Sequence, residues 1–118
     1  MTGLTIIVTR EDREALRSAL TIAAAAAALG SRVRIHAHER AVAPLLALQA
    51  TPEDRTRGET PDLAEVLAAA RELGVEVIAC QTGLSLCGAT ADALPPGITT
   101  GGLVGLLAAL GDDRLVTL

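Results

Sequence analysis

Val75-Glu76-Val77-Ile78-Ala79-Cys80-Gln81-Thr82-Gly83-Leu84-Ser85 is the stretch on which the reading of this chain turns. An apolar run closes on a cysteine and passes directly into a helix start. That order is the strand-to-helix passage of an α/β unit, where chemistry collects at the carboxyl ends of parallel strands. A helix N-terminus favours negative charge, so it also favours a thiolate, the reactive form of cysteine. The competing reading makes Cys80 a small, buried, apolar residue. Position alone does not separate the two.

Working outward, Leu4 to Thr9 is a near-continuous apolar run that suits a central parallel strand. Glu11 to Leu29 follows as a helix, with acidic residues in its first turn and Gly30 as its stop. Arg32 to His38 alternates strictly, which predicts a strand with one less buried face, nearer the sheet edge. Glu39 to Ala50 reads as a helix limited or kinked by Pro44. Thr51 to Glu59 is polar and reads as a surface loop. A helix then starts with Thr60 as N-cap and Pro61 at its first position, and stops at Gly74. Beyond Cys80 come a short helix ended by Gly88, a helical piece from Thr90 to Leu94, a strand at Ile98 to Thr100, a helix from Leu103 to Leu110, and a last strand from Arg114 to Leu118. Five strands alternating with helices define an α/β fold whose sheet is mostly parallel with helices on both faces.

Composition narrows the function classes. The chain has 118 residues, a length that fits a single domain spanning 1–118. It contains no Phe, Tyr or Trp, so base stacking and cation–π cages are excluded. Its formal net charge is −4 with no basic stripe, which disfavours nucleic acid and anionic membrane surfaces as partners. Positive mean hydropathy predicts apolar surface buried between subunits, hence a homo-oligomer. Two cysteines make no disulfide framework, and no leader or spanning segment is legible. A cytoplasmic protein with reduced thiols is expected.

The segment Ala69 to Cys80, continued by Gln81-Thr82-Gly83-Leu84, Gly88, Leu94, Pro96-Gly97-Ile98, the Gly101-Gly102 pair and Asp113 to Leu118, resembles the DsrE/DsrF-like family, which includes sulfur-relay proteins of the TusD type. The first half matches more generally, through its opening strand, Ala-rich helix and second strand. The resemblance implies a three-layer α/β/α domain that assembles into trimers or hexamers. It also implies that Cys80 aligns with the cysteine that carries a persulfide in sulfur-transferring members. The chain departs from the commonest pattern after the second strand, where His36-Ala37-His38-Glu39 replaces an aromatic stretch.

Each candidate residue carries its own alternatives. Sulfur transfer needs a thiolate at Cys80 and amides that stabilise an anion, for which Gln81, Thr82 and Gly83 are placed. Cys87 lies seven residues on, about 10.5 Å along a helix, too far for a disulfide. It reads as a core cysteine beside Leu84 or, alternatively, as a resolving thiol. His36 and His38 share one strand face. They read as solvated or loosely hydrogen-bonded, as a base for Cys80, or as nitrogen ligands of a metal with Cys80. No second metal-binding motif supports the last, and no cofactor or metal is expected. Thr9, Arg10, Gly101 and Gly102 end strands on the rim of Cys80, where they could bind an anion; Arg10 could equally pair with Glu14. No nucleotide fingerprint is present.

Three functions are compatible with these residues: a carrier passing sulfur as a Cys80 persulfide to or from a donor or acceptor protein, a non-catalytic homo-oligomer binding a small ligand or partner with Cys80 structural, and a metal- or redox-sensing module.

Overall fold

The structure, a computed structural model, describes residues 2–48 and 62–118. Its elements run β1 (Leu4–Val8), α1 (Arg13–Ala28), β2 (Val33–Ala37), a 3-10 turn (Glu39–Val42), α2 (Ala43–Ala47), α3 (Leu63–Glu72), β3 (Glu76–Cys80), α4 (Gln81–Leu86), a second 3-10 turn (Ala91–Ala93), β4 (Thr99–Gly101), α5 (Leu103–Ala108) and β5 (Arg114–Thr117). The five strands form one sheet in the order β4-β3-β2-β1-β5, with every pair parallel. Three successive crossovers walk one way from β1 to β4, and the last returns to place β5 beside β1.

Side chains alternate between the two sheet faces. On one face Ile6, Val8, Val33, Ile35, Ala37, Val77 and Ala79 join Leu16, Ala19, Leu20 and Ala23 of α1 and Leu63, Leu67 and Ala70 of α3 in a continuous buried core. With no aromatic residue available, small alanines let α1 and α3 pack closely against each other. The other face carries Thr5 and Ile7 of β1, Arg34 and His36 of β2, and Glu76, Ile78 and Cys80 of β3. Near its amino end Asp113 accepts hydrogen bonds from Thr5 Oγ1 (2.9 Å), Arg32 Nη2 (2.7 Å) and Arg34 Nη2 (3.2 Å). Arg34 also donates to the carbonyl of Ala109, just beyond α5.

The alternation in β2 misled the sequence reading. All five of its residues are buried, and it lies inside the sheet between β1 and β3. Arg34 mimics a surface position in sequence but is held inside by Asp113, a partner distant along the chain. Helix limits shift for local reasons. Asp12 is the N-cap of α1, so of the expected first-turn acids neither Glu11 nor Asp12 lies within the helix. Pro44 sits in the first turn of α2, and a 3-10 turn takes up the residues before it. The described part of the next helix starts after Asp62, whose side chain accepts a hydrogen bond from the Glu65 amide at 2.8 Å. The expected Thr60 cap, Pro61 and the Thr51–Glu59 loop lie outside the described residues. Gly74, at φ 92°, stops this helix as its sequence position predicts. β5 is exposed at all four residues, and none of the described helices is long and apolar enough to cross a membrane.

Candidate functional site

Cys80 is both the last residue of β3 and the N-cap of α4, and it is 5 % exposed. The sequence places it one residue beyond the strand; the ladder extends to it because Cys80 pairs in register with Gly101 of β4. The first-turn amides of α4, those of Gln81, Thr82 and Gly83, follow directly and have no acceptor within the helix. Gln81 and Thr82 are exposed, whereas Gly83 is buried. Gly83 was expected to offer its amide to an anion. A Cβ at this position would collide with the carbonyl of Glu39, so the glycine lets α4 close onto the turn after β2.

That turn delivers the two histidines. His36 pairs in register with Ile78 of β3 and Ile7 of β1, and His38 prolongs the strand through its amide, which donates to the carbonyl of Val8. One ligand atom from each of His36, His38 and Cys80 lies within 4.8 Å of the other two. His36 is fully covered, contrary to the expectation of a solvated imidazole. Both of its ring nitrogens and Nδ1 of His38 are buried with no hydrogen-bond partner. A buried unpaired polar group costs about 1–3 kcal/mol. Burial, and then the neighbouring His38, hold the His36 pKa below the usual histidine range, so its imidazole is neutral near pH 7. Nε2 of His38 lies 3.1 Å from Oε1 of Glu39. Glu39 has φ 50°, the left-handed region that a residue with a side chain rarely enters. Sequence reasoning missed Glu39, although a carboxylate directly after His-Ala-His was a readable signal.

The other candidates separate. Cys87 is the half-buried C-cap of α4, so the helix holds the two free thiols at its opposite ends. Thr9 donates its hydroxyl to the Leu118 carbonyl at 2.8 Å. Arg10 pairs with Asp12 at 3.1 Å rather than with Glu14. Both line an open cleft of about 560 Å³ on the carboxyl rim, together with Glu11, Asp12, Glu39, Arg40 and Leu86. Its two arginines face three carboxylates, which gives the cleft no anion-selective charge. β1 is two strands from β3, roughly 10 Å across the sheet. Gly101 and Gly102 line a different, smaller groove of about 170 Å³ with Arg34, Glu76 and Leu106. Of the expected rim residues, Thr9 and Arg10 lie apart on the cleft beside β1, whereas Gly101 stands next to Cys80 in the sheet. The compact side-chain cluster is Cys80, His36 and His38, with Glu39 beside it.

An all-parallel α/β domain with a cysteine at a strand-to-helix junction defines the class of this protein. Within that class the chain belongs to the DsrE/DsrF-like family, whose model matches residues 3–118. The family is associated with sulfur relay. Two solved structures share the fold, each aligned over 100 % of both chains: the ychN protein from E. coli, at 21 % identity and TM-score 0.68, and MTH1491 from Methanobacterium thermoautotrophicum, a protein of unknown function, at 15 % identity and TM-score 0.68. No curated protein matches the chain.

Proposed function

We propose that this protein is a cytoplasmic sulfur carrier that holds sulfur as a persulfide on Cys80. The observation that carries this reading is the position of Cys80, a cysteine that ends β3 and caps α4 in a chain of the DsrE/DsrF-like family. In the loading step the Cys80 thiolate attacks the outer sulfur of a donor persulfide. A new S–S bond forms on Cys80, the donor S–S bond breaks, and the donor leaves as a thiolate. In the unloading step an acceptor thiolate attacks the outer sulfur and Cys80 is released. Neither step needs an outside oxidant or reductant. The neighbouring α4 amides favour the anionic persulfide.

The carrier works as a homo-oligomer, a trimer or hexamer by family resemblance. Apolar side chains left exposed on α5 and β5, Val104, Leu107, Leu115 and Val116, support such an assembly. A second reading, a binding module in which Cys80 only packs, is favoured by the 5 % exposure of that residue. Incubating the reduced protein with a persulfide donor and recording intact mass distinguishes them. The carrier gains one sulfur atom in the wild type and none in Cys80→Ser. If the wild type gains no sulfur from a donor that loads a control thiol, the packing reading replaces the carrier.

A further inference from the structure

We propose that His36, His38 and Cys80 form a three-ligand site for a zinc-type divalent cation, with a fourth coordination position left open. The site goes beyond sulfur carriage, since it uses two histidines that loading of Cys80 does not require. One ligand atom from each residue already lies within 4.8 Å of the others. Tetrahedral zinc with bonds of about 2.0–2.3 Å holds such atoms roughly 3.3–3.6 Å apart. Closing that gap takes about an ångström of inward movement.

The donor chemistry selects the cation. One thiolate and two neutral imidazoles suit zinc and its neighbours, whereas calcium and magnesium take oxygen ligands. The three nitrogen atoms that lack partners, His36 Nδ1 and Nε2 and His38 Nδ1, are buried at this one place. A cation would satisfy one nitrogen of each ring. Glu39 supplies the outer partner: its carboxylate, 3.1 Å from His38 Nε2, fixes the proton there and leaves Nδ1 as the donor. The φ of 50° at Glu39 is local strain of the kind that accumulates at ligand sites. His38 is 27 % exposed in its side chain and gives the cation a route in. On binding, the Cys80 thiol loses its proton to solvent, a metal–sulfur bond forms, and nothing is oxidised or reduced. The bound cation engages the same sulfur that would attack a persulfide, so metal occupancy and sulfur loading exclude each other.

The test is a titration of reduced, metal-stripped protein with Co²⁺ alone, followed by competition with Zn²⁺. The site predicts saturation at one Co²⁺ per chain, with a sulfur-to-cobalt charge-transfer band and the strong visible bands of tetrahedral cobalt, all erased by Zn²⁺. Cys80→Ser removes the charge-transfer band, and Cys87→Ser changes nothing. His38→Gln weakens Co²⁺ binding by at least about tenfold. Because His38 is only partly covered, this variant carries the test even if His36→Gln does not fold. Absence of the bands in wild type, or equal affinity in wild type and His38→Gln, overturns the site. Sulfur loading of His38→Gln, followed by mass, reads the carrier function by itself, so failure of one proposal is distinguishable from failure of the other.

Discussion

At the amino end of one sheet face, Asp113 collects Thr5, Arg32 and Arg34; at the carboxyl end of the same face, His36, His38 and Cys80 surround unpartnered nitrogens. Both clusters bury polar groups of β2, the first together with Thr5 of β1 and the second together with Cys80 of β3. In the first, the carboxylate is matched by three donors, and Arg34 Nε is its one buried atom without a partner. In the second, three nitrogen atoms are left over. A matched buried cluster fixes packing, whereas an unmatched one costs stability and persists where something else uses it. The difference separates a structural clasp from a candidate site without reference to any homologue.

Replacing the buried polar side chains should therefore act with opposite sign at the two ends. The largest loss is expected for Asp113→Ala, which leaves Arg34 buried without its carboxylate; chemical denaturation should place its midpoint below that of every other variant named here. Gly83→Ala forces a methyl group onto the Glu39 carbonyl and should cost about 1–3 kcal/mol, read from the same denaturation curves. Thr5→Val removes one buried donor and should cost about 1–2 kcal/mol. His36→Leu, measured without metal, should be neutral or stabilising by up to about 1–2 kcal/mol, because an apolar side chain replaces unpartnered nitrogens. A loss in His36→Leu as large as in Thr5→Val would erase the contrast between the ends.

Acid sharpens the comparison further. Hydrogen bonding from Arg32 first, then from Thr5 and Arg34, holds the Asp113 pKa below the usual carboxylate value despite its burial. A carboxyl group with a lowered folded pKa stabilises the fold fully above its unfolded value of about 3.9, and that contribution fades as pH falls through the folded value. Arg32→Ala should therefore begin to lose structure at higher pH than wild type in an acid titration followed by circular dichroism. Coincident acid transitions would show that the clasp does not depend on this pairing.

The contrast also explains what the sequence could reveal. β1, β3 and the stop at Gly74 were legible because apolar runs and glycines report local needs. The depth of β2 was not, because Arg34 owes its burial to Asp113, 79 positions away. For the same reason His36 looked solvated, since nothing local reports how the sheet is covered. Cys80 was legible from its place between a strand and a helix. The role of Gly83 was hidden because the chain it admits is the turn at Glu39. Gly101 does end β4 and stands beside Cys80, whereas Arg10 lies two residues beyond β1, and the order β4-β3-β2-β1-β5 sets β1 two strands away from Cys80.

The central claim is that the unmatched cluster around Cys80 is the working end of the molecule. The most direct measurement is peptide mapping of sulfur after limited exposure of the reduced protein to a persulfide donor, comparing the peptides that carry Cys80 and Cys87. Cys87 is the more exposed thiol, so access alone would direct sulfur to it. The account predicts sulfur on Cys80 in preference to Cys87; sulfur on Cys87 with none on Cys80 would contradict it.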